Sequence, residues 1–138
     1  MEHSVSRAEN PDNEGTGRFL QVAGLRFTWN ARQPVGSRVI KVQVKNPDGA
    51  YSPLDANGTY KVVTNDFTRG GGDGFDMLAQ KAVNAYDFGP TLDKVLADYI
   101  AAHSPVTVQM DGRITRDDAA APAALPETGA SEEDVCNK

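Results

Sequence analysis

The hydrophobic period of this chain changes from two to that of a helix at a glycine-rich run, and that change points to a fold combining a sheet with helices. Upstream of the run, Leu25, Phe27 and Trp29 alternate with Arg26 and Thr28, and Ile40, Val42 and Val44 alternate with Lys41, Gln43 and Lys45. A period of two buries one set and leaves the other wet. Turn signals at Ala23-Gly24, Pro34-Val35-Gly36, Asn46-Pro47-Asp48-Gly49 and Asp55-Ala56-Asn57-Gly58 separate the strands. Phe19–Val22, the β-branched and aromatic run Thr59–Thr64, and a closing run Val106–Met110 read as further strands. Downstream, Phe75, Leu78, Ala79, Ala82, Val83 and Tyr86 lie on one helical stripe. Leu92, Val95, Leu96, Tyr99 and Ile100 form a second, with Thr91 as its N-cap and Ser104-Pro105 as its stop. Glu2 to Arg7 reads as the end of a helix, and Trp29 as core. The predicted class is α+β, one mixed β-sheet with packed helices.

The chain has 138 residues, enough for one domain with tails. We assign residues 1–116 to that domain, with a flexible loop at 9–17, and residues 117–138 to a disordered tail rich in Ala, Pro and acidic residues. Asp117 and Asp118 are read as part of a solvated linker. Net charge is −5 with no basic stripe, which argues against nucleic acid. No apolar run reaches the ~18 residues a membrane span needs, and the start of the chain does not read as a signal peptide. The single cysteine, Cys136, makes neither an intrachain disulfide nor a zinc site. Leu125-Pro126-Glu127-Thr128-Gly129 matches the pattern a sortase cuts between Thr and Gly, although an acidic segment follows it in place of an apolar span.

The chemistry concentrates at Asn65-Asp66-Phe67-Thr68-Arg69-Gly70-Gly71-Gly72-Asp73-Gly74-Phe75, where a strand is expected to run through glycines into a helix. Glycines permit positive φ and close approach of backbone to a ligand. A phosphate-binding P-loop would end in Gly-Lys-Ser/Thr, where this chain has Gly74-Phe75-Asp76, and the dinucleotide fingerprint G-x-G-x-x-G fails from both Gly70 and Gly72. Asp73 inside the turn would repel phosphate but suits neutral hydroxyls, of which a ribose offers two side by side. Phe67 fits either a core position or an exposed stacking platform. His3 and His103 are too far apart in sequence to indicate a metal site; His103 suits the C-terminal end of a helix.

Glu2-His3-Ser4-Val5-Ser6, Gly17 to Leu25, Tyr60-Lys61-Val62, the Asn65-Asp66-Phe67 and Gly71-Gly72-Asp73-Gly74-Phe75 pair, and Asp111-Gly112-Arg113-Ile114 are similar in type, order and spacing to the C-terminal domain of the 5'-nucleotidase and UDP-sugar hydrolase family. The resemblance covers roughly Glu2 to Thr115. It implies a substrate-binding domain in which Phe67 is one of two rings sandwiching a base, Asp73 binds the ribose hydroxyls, and Asp66 lies close to the base, with Gly71 and Gly72 shaping the site. It implies that the second ring, an Asn-Gly-Gly-x-Arg motif and a metallophosphoesterase domain holding two divalent metal ions lie upstream of the matched region. On that basis the expected ligand is a nucleoside or nucleotide, no metal is bound by these residues, and the parent protein is extracellular or cell-surface, with a sortase as a possible partner. An apolar face left uncovered by the upstream part is also expected.

Overall fold

The computed structural model describes residues 1–9 and 15–119. Its elements in chain order are α1 (Glu2–Val5), β1 (Leu25–Trp29), β2 (Val39–Lys45), β3 (Tyr51–Pro53), α2 (Asp66–Arg69), a 3₁₀ turn at Gly72–Gly74, α3 (Asp76–Gln80), α4 (Leu92–His103) and β4 (Ile114–Arg116). The four strands form one sheet in the order β3-β2-β1-β4. β1 pairs antiparallel with β2 and parallel with β4, so the sheet is mixed as expected. β3 adds antiparallel to β2 through the Asn46–Gly49 turn, whose glycine has φ 88°.

The alternation in β1 and β2 determines the faces. Phe27 lies opposite Val42 and next to Ile114, and Leu25 lies opposite Val44. Phe27 and Trp29 are only 2% and 7% exposed and, with Val5 and Ala8, form the core. Phe19 packs edge-on to Trp29 with ring centroids 5.6 Å apart.

Helix α1 is only four residues long, too short to hold itself together, and its side chains attach it in several directions. Both Glu2 carboxylate oxygens accept backbone amides of β2's entry, from Arg38 at 3.0 Å and Val39 at 2.6 Å. Ser4 Oγ accepts the Leu20 amide at 2.8 Å, and Val5 is fully buried. Arg38 Nη1 donates to the carbonyls of Val5, Ser6 and Ala8, satisfying the orphan acceptors that follow a helix end.

Several expected elements differ. Phe19–Val22, Thr59–Thr64 and Val106–Met110 are not strands; the closing strand is Ile114–Arg116, whose Ile114 completes the core face beside Phe27. Val63 and Val108 stand exposed, and among the described residues neither run pairs with an edge of the sheet. The expected long helix from Phe75 to Tyr86 stops at Gln80, and Asn84 takes a positive φ of 53°. Asp117 and Asp118 are not a free linker. The Asp117 amide donates to the Trp29 carbonyl, and Asp118 accepts from the Ala31 amide and from Arg116, because β4 carries them alongside the end of β1. Residues 10–14 of the expected loop and 120–138 of the tail, including Leu125–Gly129 and Cys136, lie outside the described residues.

Candidate functional site

The glycine run is built differently from a strand ending in a turn. Asn65 is extended and caps α2, its Oδ1 accepting the Thr68 amide at 2.8 Å. Phe67 therefore sits on the first turn of a helix rather than at a strand end. The chain then passes Gly71 at φ 97°, Asp73 at φ 54° and Gly74 at φ 82°. Three positive-φ residues within four positions fold the segment back on itself, which β-branched or bulky residues would resist.

Each glycine of this run has its own steric reason. A Cβ on Gly72 would fall 2.5 Å from Cε1 of Phe67, so the ring rests directly on the Gly72 backbone. A Cβ on Gly71 would meet Asp76 Oδ1 at 3.1 Å, and one on Gly74 would meet His3 Cε1 at 2.9 Å. Phe67 stays 60% exposed, which places it as a surface ring and not as core. Asp73 is exposed, and its carboxylate has no hydrogen-bond or ion-pair partner among the described residues. Asp66 is exposed, with one carboxylate oxygen accepting the Phe67 amide at 2.9 Å. The fold thus brings Phe67, Gly71, Gly72 and Asp73 into one loop, with Asp66 beside them at the helix start.

The loop is fastened from a distance. His3 Nε2 donates to the Asp73 carbonyl at 2.7 Å, and the His3 ring meets the buried Phe75 ring edge-on at 4.7 Å. Arg69 donates to the Leu78 carbonyl at 3.2 Å and pairs with Asp87 at 3.3 Å, joining α2 to the segment after α3. Sequence reading singled out neither Arg38 nor the loop-holding role of His3. These links span 33 and 70 positions and leave no periodic signal; the one hint was that Glu2-His3-Ser4-Val5 is a run of unlike residues, each with a separate partner.

Among the described residues no three His, Cys, Asp or Glu side chains are grouped so as to hold a metal ion. His103 lies at the end of α4, stacked on Tyr99 at 4.1 Å with Nδ1 against the Tyr99 carbonyl. No helix among the described residues is long and apolar enough to cross a membrane.

With this geometry in hand, the comparisons with known proteins are specific. The family model for the 5'-nucleotidase, C-terminal domain, matches residues 1–80, the stretch containing α1, the three antiparallel strands and the glycine loop. The chain is 40% identical over 117 residues to a 5'-nucleotidase of Diplobatis ommata, covering 83% of this chain and 19% of that protein. It is 36% identical over 118 residues to a snake venom 5'-nucleotidase of Macrovipera lebetinus, covering 83% of this chain and 28% of the relative. The crystal structure of a 5'-nucleotidase precursor from Thermus thermophilus superposes with a TM-score of 0.73 at 40% identity, over 83% of this chain and 22% of that one. The chain spans about a fifth of the length of the first of these relatives. The matched family model covers more than half of the sequence, and the chain belongs to the 5'-nucleotidase C-terminal domain family.

Proposed function

We propose that this chain is the nucleoside-recognition portion of a secreted 5'-nucleotidase-like hydrolase that acts in nucleotide catabolism. The observation that supports this reading is an exposed Phe67 ring seated on Gly72, one residue from an unpaired Asp73 carboxylate whose backbone is held by His3. A base stacked on Phe67 would gain ~1–3 kcal/mol. Asp73 would accept hydrogen bonds from the two ribose hydroxyls, which are stronger for an ionised acceptor. Gly71 and Gly72 let the sugar approach the backbone, and Asp66 lies near the base edge. Two divalent metal ions, which activate water and clamp phosphate, would be supplied by a separate metallophosphoesterase domain; the residues described in this chain do not suit that role. The venom relative is consistent with secretion, and Leu125–Gly129 would make the protein a sortase substrate, tested by ligation of a triglycine probe.

Adenosine titration followed by amide chemical shifts tests the site. Phe67, Gly71, Gly72, Asp73, Gly74 and Phe75 should shift together and saturate. Silence at all of them up to millimolar adenosine would leave the second reading, a domain fragment that keeps its fold without a ligand. That reading draws on the long exposed stretch from Val83 to Met110, whose large apolar side chains are left uncovered by the described residues.

A further inference from the structure

The outward face of the sheet has a charge opposite to that of the chain as a whole. Net charge is −5, yet the four strands contain no Asp or Glu. Alternation places Leu25, Phe27, Val42 and Val44 on the core face, so Arg26, Lys41, Gln43 and Lys45 share the outer one, with Thr28 and Thr115 beside them. Arg26 is held flat against the Tyr51 ring at 4.4 Å and donates to Gln43 at 3.0 Å. Lys41 and Lys45 have no carboxylate partner among the described residues. Arg26, Thr28, Lys41, Gln43 and Thr115 also line a shallow open recess of about 240 Å³.

The chain itself carries a matching partner. Beyond Ala119, the last described residue, the sequence holds Glu127, Glu132, Glu133 and Asp134 against a single cation, Lys138. Thirteen positions separate Ala119 from Glu132. Thirteen residues can span up to ~43 Å, whereas crossing from β4 over β1 to β2 takes only ~10 Å. The departure point is fixed, because Asp118 is bound by Arg116 and the Ala31 amide at the end of β1. A segment of the same chain within that span meets the sheet at an effective concentration of up to ~mM, enough for a weak electrostatic contact to be populated.

We infer that the outer face of the sheet, through Arg26, Lys41 and Lys45, is a docking surface for the chain's own acidic segment Glu132–Asp134. The contact is independent of nucleoside binding, since the glycine loop contributes nothing to this face.

The test uses the full chain with a nitroxide on its single cysteine, Cys136, two residues beyond Asp134. At low salt the amides of Arg26, Lys41, Gln43 and Thr115 should lose more than half of their intensity relative to the reduced label, while Phe67 and Gly72 keep theirs. The loss should disappear at ~0.5 M NaCl, where the screening length falls to a few ångström, and in the E132K/E133K/D134K variant, which alters no residue of the sheet. Undiminished intensities at low salt would overturn the inference. So would broadening that persists in the triple variant, or broadening of an unlabelled ¹⁵N chain by a labelled ¹⁴N chain, which would place the contact between molecules.

Discussion

Two stretches of the chain carry comparable hydrophobic patterns and reach different ends. In β1, Phe27 and Trp29 are almost wholly buried by α1, Phe19, Val42 and Ile114. In α4, the stripe Leu92, Val95, Leu96, Tyr99 and Ile100 is regular over three turns, yet every member is exposed, Leu96 by 56%. The strand pattern finds its complement within the chain; the helix pattern finds none among the described residues. An amphipathic stripe of this width specifies that something apolar should cover it, and the relatives, which extend far beyond the matched region, offer ample chain for that purpose. The comparison teaches that, among the described residues, the sheet half buries its apolar face while the helical half leaves its own in the open.

The sharpest way to break this contrast is a pair of truncations. Trp29→Ala should cost about 3–5 kcal/mol, read as a drop in the denaturant midpoint, because a buried ring is lost and a cavity left. Leu96→Ala should stay within about 0.5 kcal/mol. Equal losses would mean that α4 is covered in solution and that the contrast fails.

Next come the glycines. Gly71→Ala imposes a positive φ on an L-residue and presses on Asp76, and should destabilise by about 1–2 kcal/mol. Gly72→Ala displaces only the exposed Phe67 ring, so thermal stability should change by less than about 1 kcal/mol. Adenosine binding should nonetheless weaken by ~5-fold or more, as stacking on the displaced ring is lost. Unchanged binding in Gly72→Ala would separate Phe67 from the site.

His3→Ala removes one hydrogen bond and an edge-on ring contact, and should cost about 1–2 kcal/mol. Its more telling readout is amide exchange: protection at Gly74 and Phe75 should fall while the β1–β2 ladder keeps its own. Uniform loss across the chain would show that α1 holds the sheet as well as the loop.

The smallest effect expected is at the exit of β4. The Arg116 guanidinium holds the Asp118 carboxyl below the usual carboxylate range, with help from the Ala31 amide and Arg32. A depressed folded value contributes stability that is present above the unfolded carboxyl range and lost as pH falls through the folded value. Asp118, Ala31 and Arg116 signals should therefore titrate together below about pH 4, with the β1–β2 amides unaffected. Independent titration would show that the Arg116–Asp118 pair does not hold the chain there.

The sheet was legible because period-two alternation survives in any context that buries one face. Leu25–Trp29 and Val39–Lys45 needed no long-range information, and Leu92–His103 was equally clear from its stripe and its Thr91 and Ser104-Pro105 boundaries. The failures share a cause. Thr59–Thr64 and Val106–Met110 have strand composition but pair with neither edge of the sheet among the described residues, and strand propensity reflects packing against neighbours more than a backbone preference. The stripe after Phe75 continues past Gln80 in sequence, but the helix ends there, Asn84 takes a positive φ, and Val83 and Tyr86 stand largely exposed among the described residues. At the site, the glycines and Asp73 could be read from residue types, while Phe67 fitted core and platform alike until the structure left it 60% exposed. That Phe67 lies on Gly72 and that His3 holds Asp73 could not, because neither contact has a sequence signature.

The sequence alone determined the mixed sheet-and-helix class, the buried face of β1 and β2, and the position of the glycine loop, since periodicity and φ preference are properties of short windows. Only the tertiary structure decided which apolar runs find partners, where the sheet closes, and how residues 1–9 lock Asp73 and the β2 entry in place. Those outcomes rest on contacts between residues tens of positions apart, whose energy exists only once the chain has brought them together.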